Sequence, residues 1–427
     1  MKRLIIWVAV LFSFNRAQAQ SGEEISSSTS TTYVSNQVSS RIDATISVPV
    51  EAGENSQRTD YQVREKNFSR TFPVSAGDKI NLQNQFGAMM IKTWDRKEIK
   101  LDIVMKAFST DDKEAQYMLD MTSVAADKNG DMISCKTTIA PGKRMYERNK
   151  KREIKVTYTV YLPASNALTL SQQFGNVTIG DFAGPLSAKV QYGDLTTGNL
   201  SDDNNYINVQ YGKTNISGLN KGIIKQQYGS GLTIGAAGSL DLTAQYADVI
   251  ISSVKGDALI KQQYGSGLKI GSVNNIELDV QYADVKITAV KGNATIKQQY
   301  NSLELGTVRE LTLKAQYADV TVGSLRGNST LKMSYNHFNI KELAQGCRNL
   351  LIDADYADIN LNFADGYSND FSVLKSYGGF SYGNNVKATL AANGEDRGSS
   401  KIYSGKIGNG GNGMIRIKSD YGSVVFK

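Results

Sequence analysis

The chain has 427 residues, a formal net charge of +7 and an isoelectric point near 9.0. Its one histidine argues against a histidine-based metal site and a Ser–His–Asp triad, and its two cysteines are too few for a disulfide framework. So small a charge does not indicate nucleic acid, and we predict no nucleic-acid partner and no cofactor.

The first residues have the pattern of a secretory signal peptide. Lys2 and Arg3 precede an apolar segment, Leu4 to Phe14, that is too short to span a bilayer as a helix. A small-x-small cleavage site follows, so residues 1–19 are predicted to be removed on export. We expect a periplasmic, cell-surface or extracellular protein with no transmembrane helix in the mature chain. Residues 20–60 are Ser/Thr-rich and are predicted to be a flexible leader.

Residues 61–170 contain short alternating segments that indicate antiparallel strands, with one helix predicted at about 111–124. The phrase LQNQFGAMMI, which begins at Leu82, returns as LSQQFGNVTI at Leu170. The region can therefore also be interpreted as a diverged first coil of the repeats that follow, carrying a helical insertion.

From residue 171 to residue 427 an aromatic residue recurs at nearly constant spacing. Its intervals are 17 to 19 residues through Phe174, Tyr192, Tyr211, Tyr228, Tyr246, Tyr264, Tyr282, Tyr300, Tyr317 and Tyr335, and the series then loosens through Tyr356, Tyr377, Tyr403 and Tyr421. A fixed period near 20 residues indicates stacked units, each of which buries its apolar side against the next.

The repeat alternates between two phrases, KQQYGS or KQQYNS and QYADV, so that the larger period is 36 residues. No proline follows Pro185, as expected where every strand is paired on both sides. We predict an all-β protein, a parallel β-solenoid of ~18-residue coils, preceded by a mostly antiparallel region with one short helix. A β-propeller with 36-residue blades and a hexapeptide left-handed helix remain alternatives.

Two residue columns accompany the repeat, and both have a structural and a functional interpretation. Stacked amides can hydrogen-bond from coil to coil, and stacked rings can form an aromatic ladder. An exposed strip of the same residues would instead offer a platform for sugar rings. Alternation along Leu240, Leu242 and Ala244 places Tyr246 inside, whereas a corner would leave its hydroxyl in solvent. The amide column consists of Gln173, Gln191, Gln210, Gln227, Gln245, Gln263, Gln281, Gln299 and Gln316.

The strongest local charge lies in a loop before the repeats. Two acidic residues interrupt seven basic ones, namely Lys143, Arg144, Arg148, Lys150, Lys151, Arg152 and Lys155. The loop is either a solvated hairpin tip or a polyanion-binding element that recognises acidic glycan or lipid phosphate.

No catalytic or metal-binding motif is present in the sequence. Aspartates such as Asp248 and Asp284 recur on alternate coils, too far apart to share one ion, and are expected to bond their own turn backbone. Cys135 and Cys347 are expected to be separate, buried, free thiols.

The phrases FxxxFxVxxGDKINLQNQFGAMMIKTW, from Phe68, and VTYTVYLPASNALTLSQQFGNVTIGDFAGPL, from Val156, resemble the DUF4097-type family of adhesin-like proteins. These are exported β-repeat proteins common in Bacteroidetes and related to the "head GIN" adhesin-like domains. The resemblance covers about residues 61–427 and implies a β-solenoid in the envelope or outside the cell, with no catalytic residues.

We therefore predict an exported, non-enzymatic, adhesin-like or cell-envelope interaction protein whose partner is a glycan or an envelope component. A polysaccharide-active β-helix enzyme, either a lyase or a hydrolase, is the alternative. A purely structural envelope protein is the second alternative.

Overall fold

A parallel β-solenoid with coils of about 18 residues dominates the computed structural model, which confirms the predicted fold class. The structure describes residues 61–141, 152–390 and 400–427. These ranges contain 27 strands and one helix. Within them, no helix has the length and apolar character needed to cross a bilayer.

The elements before the regular coils are β1 (Gln62–Pro73), β2 (Lys79–Gln85), β3 (Met89–Trp94), β4 (Glu98–Ser109), α1 (Asp112–Asp120), β5 (Thr122–Asn129), β6 (Met132–Ile139) and β7 (Arg152–Pro163). The coils continue through β8 (Ala167–Gln173), β9 (Val177–Ile179), β10 (Leu186–Gln191), β11 (Leu195–Leu200), β12 (Asn205–Gln210), β13 (Lys213–Gln227), β14 (Gly231–Gln245), β15 (Val249–Gln263), β16 (Gly267–Gln281), β17 (Asp284–Gln299), β18 (Ser302–Gln316), β19 (Asp319–Leu325), β20 (Ser329–Leu343) and β21 (Asn349–Phe363). The chain ends with β22 (Asn369–Ser376), β23 (Phe380–Tyr382), β24 (Val386–Leu390), β25 (Ser400–Ile407), β26 (Met414–Asp420) and β27 (Val424–Phe426).

A typical coil is one long strand that bends in its middle and ends at an aromatic corner. In β14 the buried residues alternate through Leu232 and Ile234, skip to Ala237 and Leu240, and alternate again through Leu242. The departures from a period of two mark the bend, where the register with β15 also shifts. Each inward side chain lies over its equivalent in the coils above and below, so the core is one continuous apolar column.

A buried polar column explains why the repeat alternates. The inward residue two positions before each aromatic is Gln226, Ala244, Gln262, Val280, Gln298 and Ala315 in successive coils, each paired in register with the next. The Nε2 of Gln262 donates to the Ala247 carbonyl at 3.1 Å, and that of Gln298 donates to the Ala283 carbonyl at 2.9 Å. A small residue between two glutamines leaves room for both side chains, so the coils alternate in pairs.

The N-terminal end of the solenoid is assembled out of sequence order. Strands β2 and β3 form a coil that stacks in parallel on β8 and β9, while β6 and β7 lie on its other side. Antiparallel strands then close both edges, β5 on β6, and β4 followed by β1 on β7. Helix α1 joins β4 to β5 and buries Ala115 and Leu119. The Leu82 and Leu170 phrases are thus similar because both belong to coils of the solenoid. Helix α1 lies in an insertion between these two coils.

The C-terminal end is also assembled out of sequence order and closed by antiparallel strands. Strands β26 and β27, the last in the chain, pair in parallel with β21 on one side and with β22 and β23 on the other. Antiparallel β25 and β24 cover β22. Each extreme coil of the sequence is therefore held between two others. Antiparallel edge strands at both ends block the open edges through which solenoids aggregate.

Both cysteines are buried and free. Burial raises the pKa of the Cys135 thiol to about 11 and that of Cys347 to about 12. Both therefore stay protonated and shielded at neutral pH.

We expect no reaction of the native protein with a thiol reagent, and reaction of both cysteines after unfolding without reductant. An unfolded chain with no reactive thiol would show that the two are joined.

The interleaved C-terminal coil should be as stable as the middle of the solenoid. Ile417 on β26 is 2% exposed and has a paired strand on each side. Ile417→Ala should lower the free energy of unfolding by about 2–5 kcal/mol, as for a core truncation elsewhere. The exposed Lys401→Ala on β25 is the control and should change it by about 0.5 kcal/mol or less. Rapid hydrogen exchange throughout β26 would contradict the interleaved arrangement.

Candidate functional site: the aromatic ladder

Fourteen aromatic rings form one unbroken stack along the solenoid. Neighbouring ring centroids lie 4.4–5.4 Å apart, with interplanar angles of 3–13°. We call this stack the aromatic ladder. In spatial order its rings are Phe86, Phe174, Tyr192, Tyr211, Tyr228, Tyr246, Tyr264, Tyr282, Tyr300, Tyr317, Tyr335, Tyr356, Tyr421 and Tyr377. Tyr403 is not in it and packs on Phe380 instead.

Every ladder residue turns the chain through a left-handed corner. The fourteen φ angles lie between 50° and 67°, a region that residues other than glycine and asparagine rarely adopt. This conformation ends the inward alternation at Ala244 and swings the Tyr246 ring outward, which resolves the two interpretations of that alternation. The rings are 38–56% exposed.

Backbone contacts fix the corners in register. The Tyr228 N–H donates to the Gln245 carbonyl at 3.0 Å, and the same bond recurs from coil to coil. Glycine or alanine follows twelve of the fourteen rings because backbones approach closely there, and asparagine follows Tyr300 and Tyr335. At Gly193 a Cβ atom would lie 2.0 Å from the Gly175 carbonyl oxygen. The corner therefore has little freedom to relax.

The ladder presents ring edges to solvent, and its ring faces are mostly covered. Near-parallel rings with centroids about 5 Å apart must overlap as offset stacks. From Tyr192 onward the phenolic edges thus form a row with one hydroxyl per coil, whereas Phe86 and Phe174 carry none. A hydrogen bond with the Tyr300 hydroxyl raises the pKa of Tyr282, and one with Tyr335 raises the pKa of Tyr317. A flat platform that stacks on sugar faces is therefore the wrong picture of this surface.

The predicted glutamine column lies directly beside the rings. Gln173 Nε2 donates to Gln191 Oε1 at 3.1 Å, and equivalent bonds of 2.8–3.4 Å continue the column through most of its length. The half-buried amides keep one edge toward solvent. Together, the hydroxyls and amides make a polar strip that repeats once per coil.

Stability alone does not account for tyrosine at the corners. A left-handed conformation costs a residue with a Cβ roughly 1–2 kcal/mol. Each stacked pair returns about 0.5–1.5 kcal/mol beyond burial. The two terms nearly cancel, so asparagine or glycine would serve the fold about as well. What tyrosine adds is the exposed, hydroxyl-bearing surface.

The aspartate column ties alternate corners to the coil that follows them. Asp284 accepts from the Ser302 backbone N–H at 3.0 Å and from its hydroxyl at 2.6 Å, not from its own turn, which corrects that expectation. In one coil His337 takes the serine position, 3.1 Å from Asp319 and 3.7 Å from Asp358. Among the described residues, no cluster of three or more His, Cys, Asp or Glu side chains could hold a metal ion.

Of the seven predicted polyanion-binding residues, Arg152 and Lys155 are described. Lys143, Arg144, Arg148, Lys150 and Lys151 lie outside the described residues. Arg152 pairs with Glu114 on α1. Lys155 pairs with Glu153 at 3.0 Å and lies over the Phe108 ring.

No family model matches the chain, and no curated protein matches it. Several solved structures are similar to it at low identity, among them the following three. A candidate cell adhesion protein from Clostridium sporogenes is 8% identical, covering 85% of this chain and 99% of its own, with a TM-score of 0.15. A candidate adhesin from Bacteroides fragilis is 12% identical, with 69% and 96% covered and a TM-score of 0.16. A candidate lipid-binding protein from Parabacteroides distasonis is 10% identical, with 70% and 97% covered and a TM-score of 0.18. At such TM-scores, function has to be inferred from the ladder itself.

Substitutions at Tyr264 should separate corner strain from ring stacking. Tyr264→Asn loses two stacking contacts but relieves the left-handed strain, so the free energy of unfolding should change by about 1 kcal/mol or less. Tyr264→Val loses the same contacts and introduces a β-branched residue, which tolerates the left-handed corner poorly, so it should be about 1–2 kcal/mol less stable than the asparagine variant. Equal denaturation midpoints for the two variants would contradict the strain argument.

Proposed function

We propose that the protein is an exported, non-enzymatic, adhesin-like β-solenoid whose aromatic ladder binds an extended glycan at a cell surface or in the cell envelope. One observation carries the proposal. All fourteen ladder corners hold an aromatic residue in a backbone conformation that favours glycine or asparagine, and every ring remains at least 38% exposed.

The chemistry of the ladder suits a polyhydroxylated polymer. Phenolic hydroxyls and glutamine amides both donate and accept hydrogen bonds, as sugar hydroxyls do. The same group returns at every coil, one strand spacing further along the solenoid. A regular polymer can make the same weak contact at successive coils, and linked weak contacts give strong overall binding. A short oligosaccharide would gain little from the same surface.

The test is binding of the mature protein to an array of long and short glycans. Changing Tyr246, Tyr264 and Tyr282 together to asparagine should weaken binding strongly, because it interrupts the row of rings at its centre while keeping corners that asparagine tolerates. The matched control changes Ile223, Ile250 and Leu259 to threonine. These are exposed apolar residues of the same region that lie outside the ladder. Binding by the tyrosine variant equal to that of wild type would refute the proposal.

The His337 cluster favours a second candidate function, a polysaccharide-cleaving enzyme. Asp319, His337 and Asp358 place two carboxylates and an imidazole on three successive coils. Asp319 and His337 line an open groove together with Asn339 and Lys427. A general acid and base can act from such a pair of groups. However, both carboxylates are already engaged, since Asp319 accepts from the His337 backbone and Asp358 accepts from Ser423 at 2.7 Å.

A turnover assay on mixed polysaccharides decides between the two functions. Serine fills the position of His337 on the other coils that alternate with the aspartates, as at Ser266 and Ser302. His337→Ser should therefore preserve the fold and the hydrogen bond to Asp319. The adhesin-like function predicts no turnover by wild type and unchanged glycan binding by the variant. Cleavage by wild type that is lost in His337→Ser would establish the enzyme.

A further inference from the structure

The aromatic ladder ends at Phe86 beside a cavity of about 790 Å³, a size typical of small-ligand sites. One wall is formed by the rings of Phe86 and Phe174. The opposite wall comes from α1 and the strands that follow it. Its apolar side chains are Met118, Met121, Ile139 and Ile154.

The chemistry of the ladder changes at this cavity. Of the fourteen ladder rings, twelve are tyrosines and two are phenylalanines, and the two phenylalanines are the rings that line the cavity. Both remain exposed, at 40% for Phe86 and 46% for Phe174. A phenolic hydroxyl covered by an apolar ligand would lose its hydrogen bond to water, at a cost in free energy. The missing hydroxyls therefore point to an apolar occupant.

Cationic side chains stand at the rim of the same cavity. Arg152 and Lys155 both line it, at the start of β7. Arg152 is paired with Glu114. Among the described residues, the acidic partner of Lys155 is Glu153, in a pair with side chains 53% and 55% exposed. Such a surface pair contributes little, so Lys155 can exchange Glu153 for the anionic group of a ligand.

We propose that this cavity binds the straight apolar chain of an anionic amphiphile, with the chain against Phe86 and Phe174 and the carboxylate or phosphate at Lys155. A free fatty acid and an anionic membrane lipid share this chemistry. The site is separate from the polar strip of tyrosine hydroxyls and glutamine amides, and the proposal does not depend on the glycan proposal.

The first measurement uses cis-parinaric acid, a fluorescent straight-chain fatty acid, with the mature protein. Wild type should bind it. Ala88 lines the cavity from an exposed position, so Ala88→Trp fills the cavity without disturbing the core. It should weaken binding about tenfold or more, which corresponds to roughly two buried methylene groups. Met90→Trp is the matched control, because Met90 is exposed on the adjoining strand and does not line the cavity. It should bind as wild type does.

Two further variants test the chemistry. Exchanging Phe86 and Phe174 together for tyrosine restores the residue used elsewhere in the ladder, so the fold is kept and probe binding should fall. Lys155→Gln should remove the preference for the acid over the corresponding alcohol. Anionic phosphatidylglycerol vesicles form a second arm. Sedimentation of wild type with these vesicles identifies a membrane lipid as the source, whereas probe binding without sedimentation identifies a free fatty acid.

Absence of probe binding by wild type in both arms would overturn the proposal, as would equal effects of Ala88→Trp and Met90→Trp. A change of oligomeric state in Ala88→Trp, without loss of probe binding, would show instead that a second copy covers the cavity. The variant with Tyr246, Tyr264 and Tyr282 changed to asparagine should bind the fatty acid normally. The two proposals can therefore fail independently.

Discussion

Backbone pairing between stacked coils is the constraint on which the rest of this structure depends. Parallel strands repeat at about 4.8 Å. At that distance the residue types that fit at equivalent positions of neighbouring coils are restricted. This spacing favours glycine or alanine after most corners, as at Gly193. It also brings equivalent side chains into contact from coil to coil, so that any residue type repeated once per coil becomes a column. The apolar core, the glutamine columns, the aspartate contacts and the aromatic ladder are all consequences of this spacing.

Within a column, the residue type favoured at each position depends on the side chains stacked above and below it as well as on its other surroundings. The ladder shows this most clearly, because an isolated tyrosine at φ near 55° would be strained, whereas a stacked one recovers about the same energy. Each ring face is mostly covered by the neighbouring ring, and the ring edges are exposed to solvent. The surface on offer is therefore a polar edge of hydroxyls and amides, and its chemistry differs from that of isolated exposed aromatic residues.

The period of the aromatic residues was enough to predict the solenoid, its coil length and the columns, because each of these follows from local repetition. The direction of the rings did not follow, since alternation holds only up to a left-handed corner and sequence spacing does not reveal φ. The order of the terminal coils was also beyond the sequence. Tyr421 lies between Tyr356 and Tyr377 because β26 and β27 insert between earlier strands, and only long-range pairing decides that. The cavity at Phe86 depends on the same kind of non-local assembly at the other end.

The packing of the buried glutamines determines the length of the sequence repeat. Gln262 lies between Ala244 and Val280, and its amide donates to a carbonyl in the corner of the preceding turn. Between Gln226 and Gln298, loss of one coil with the small residue, or gain of one coil with glutamine, would bring two such glutamines face to face at one strand spacing. Both large side chains would then compete for the same buried volume. Loss or gain of two coils preserves the alternation. The packing of one buried column therefore explains why the sequence repeats at 36 residues although its backbone repeats at 18, and the ladder outside follows the shorter period because exposed rings meet no such limit.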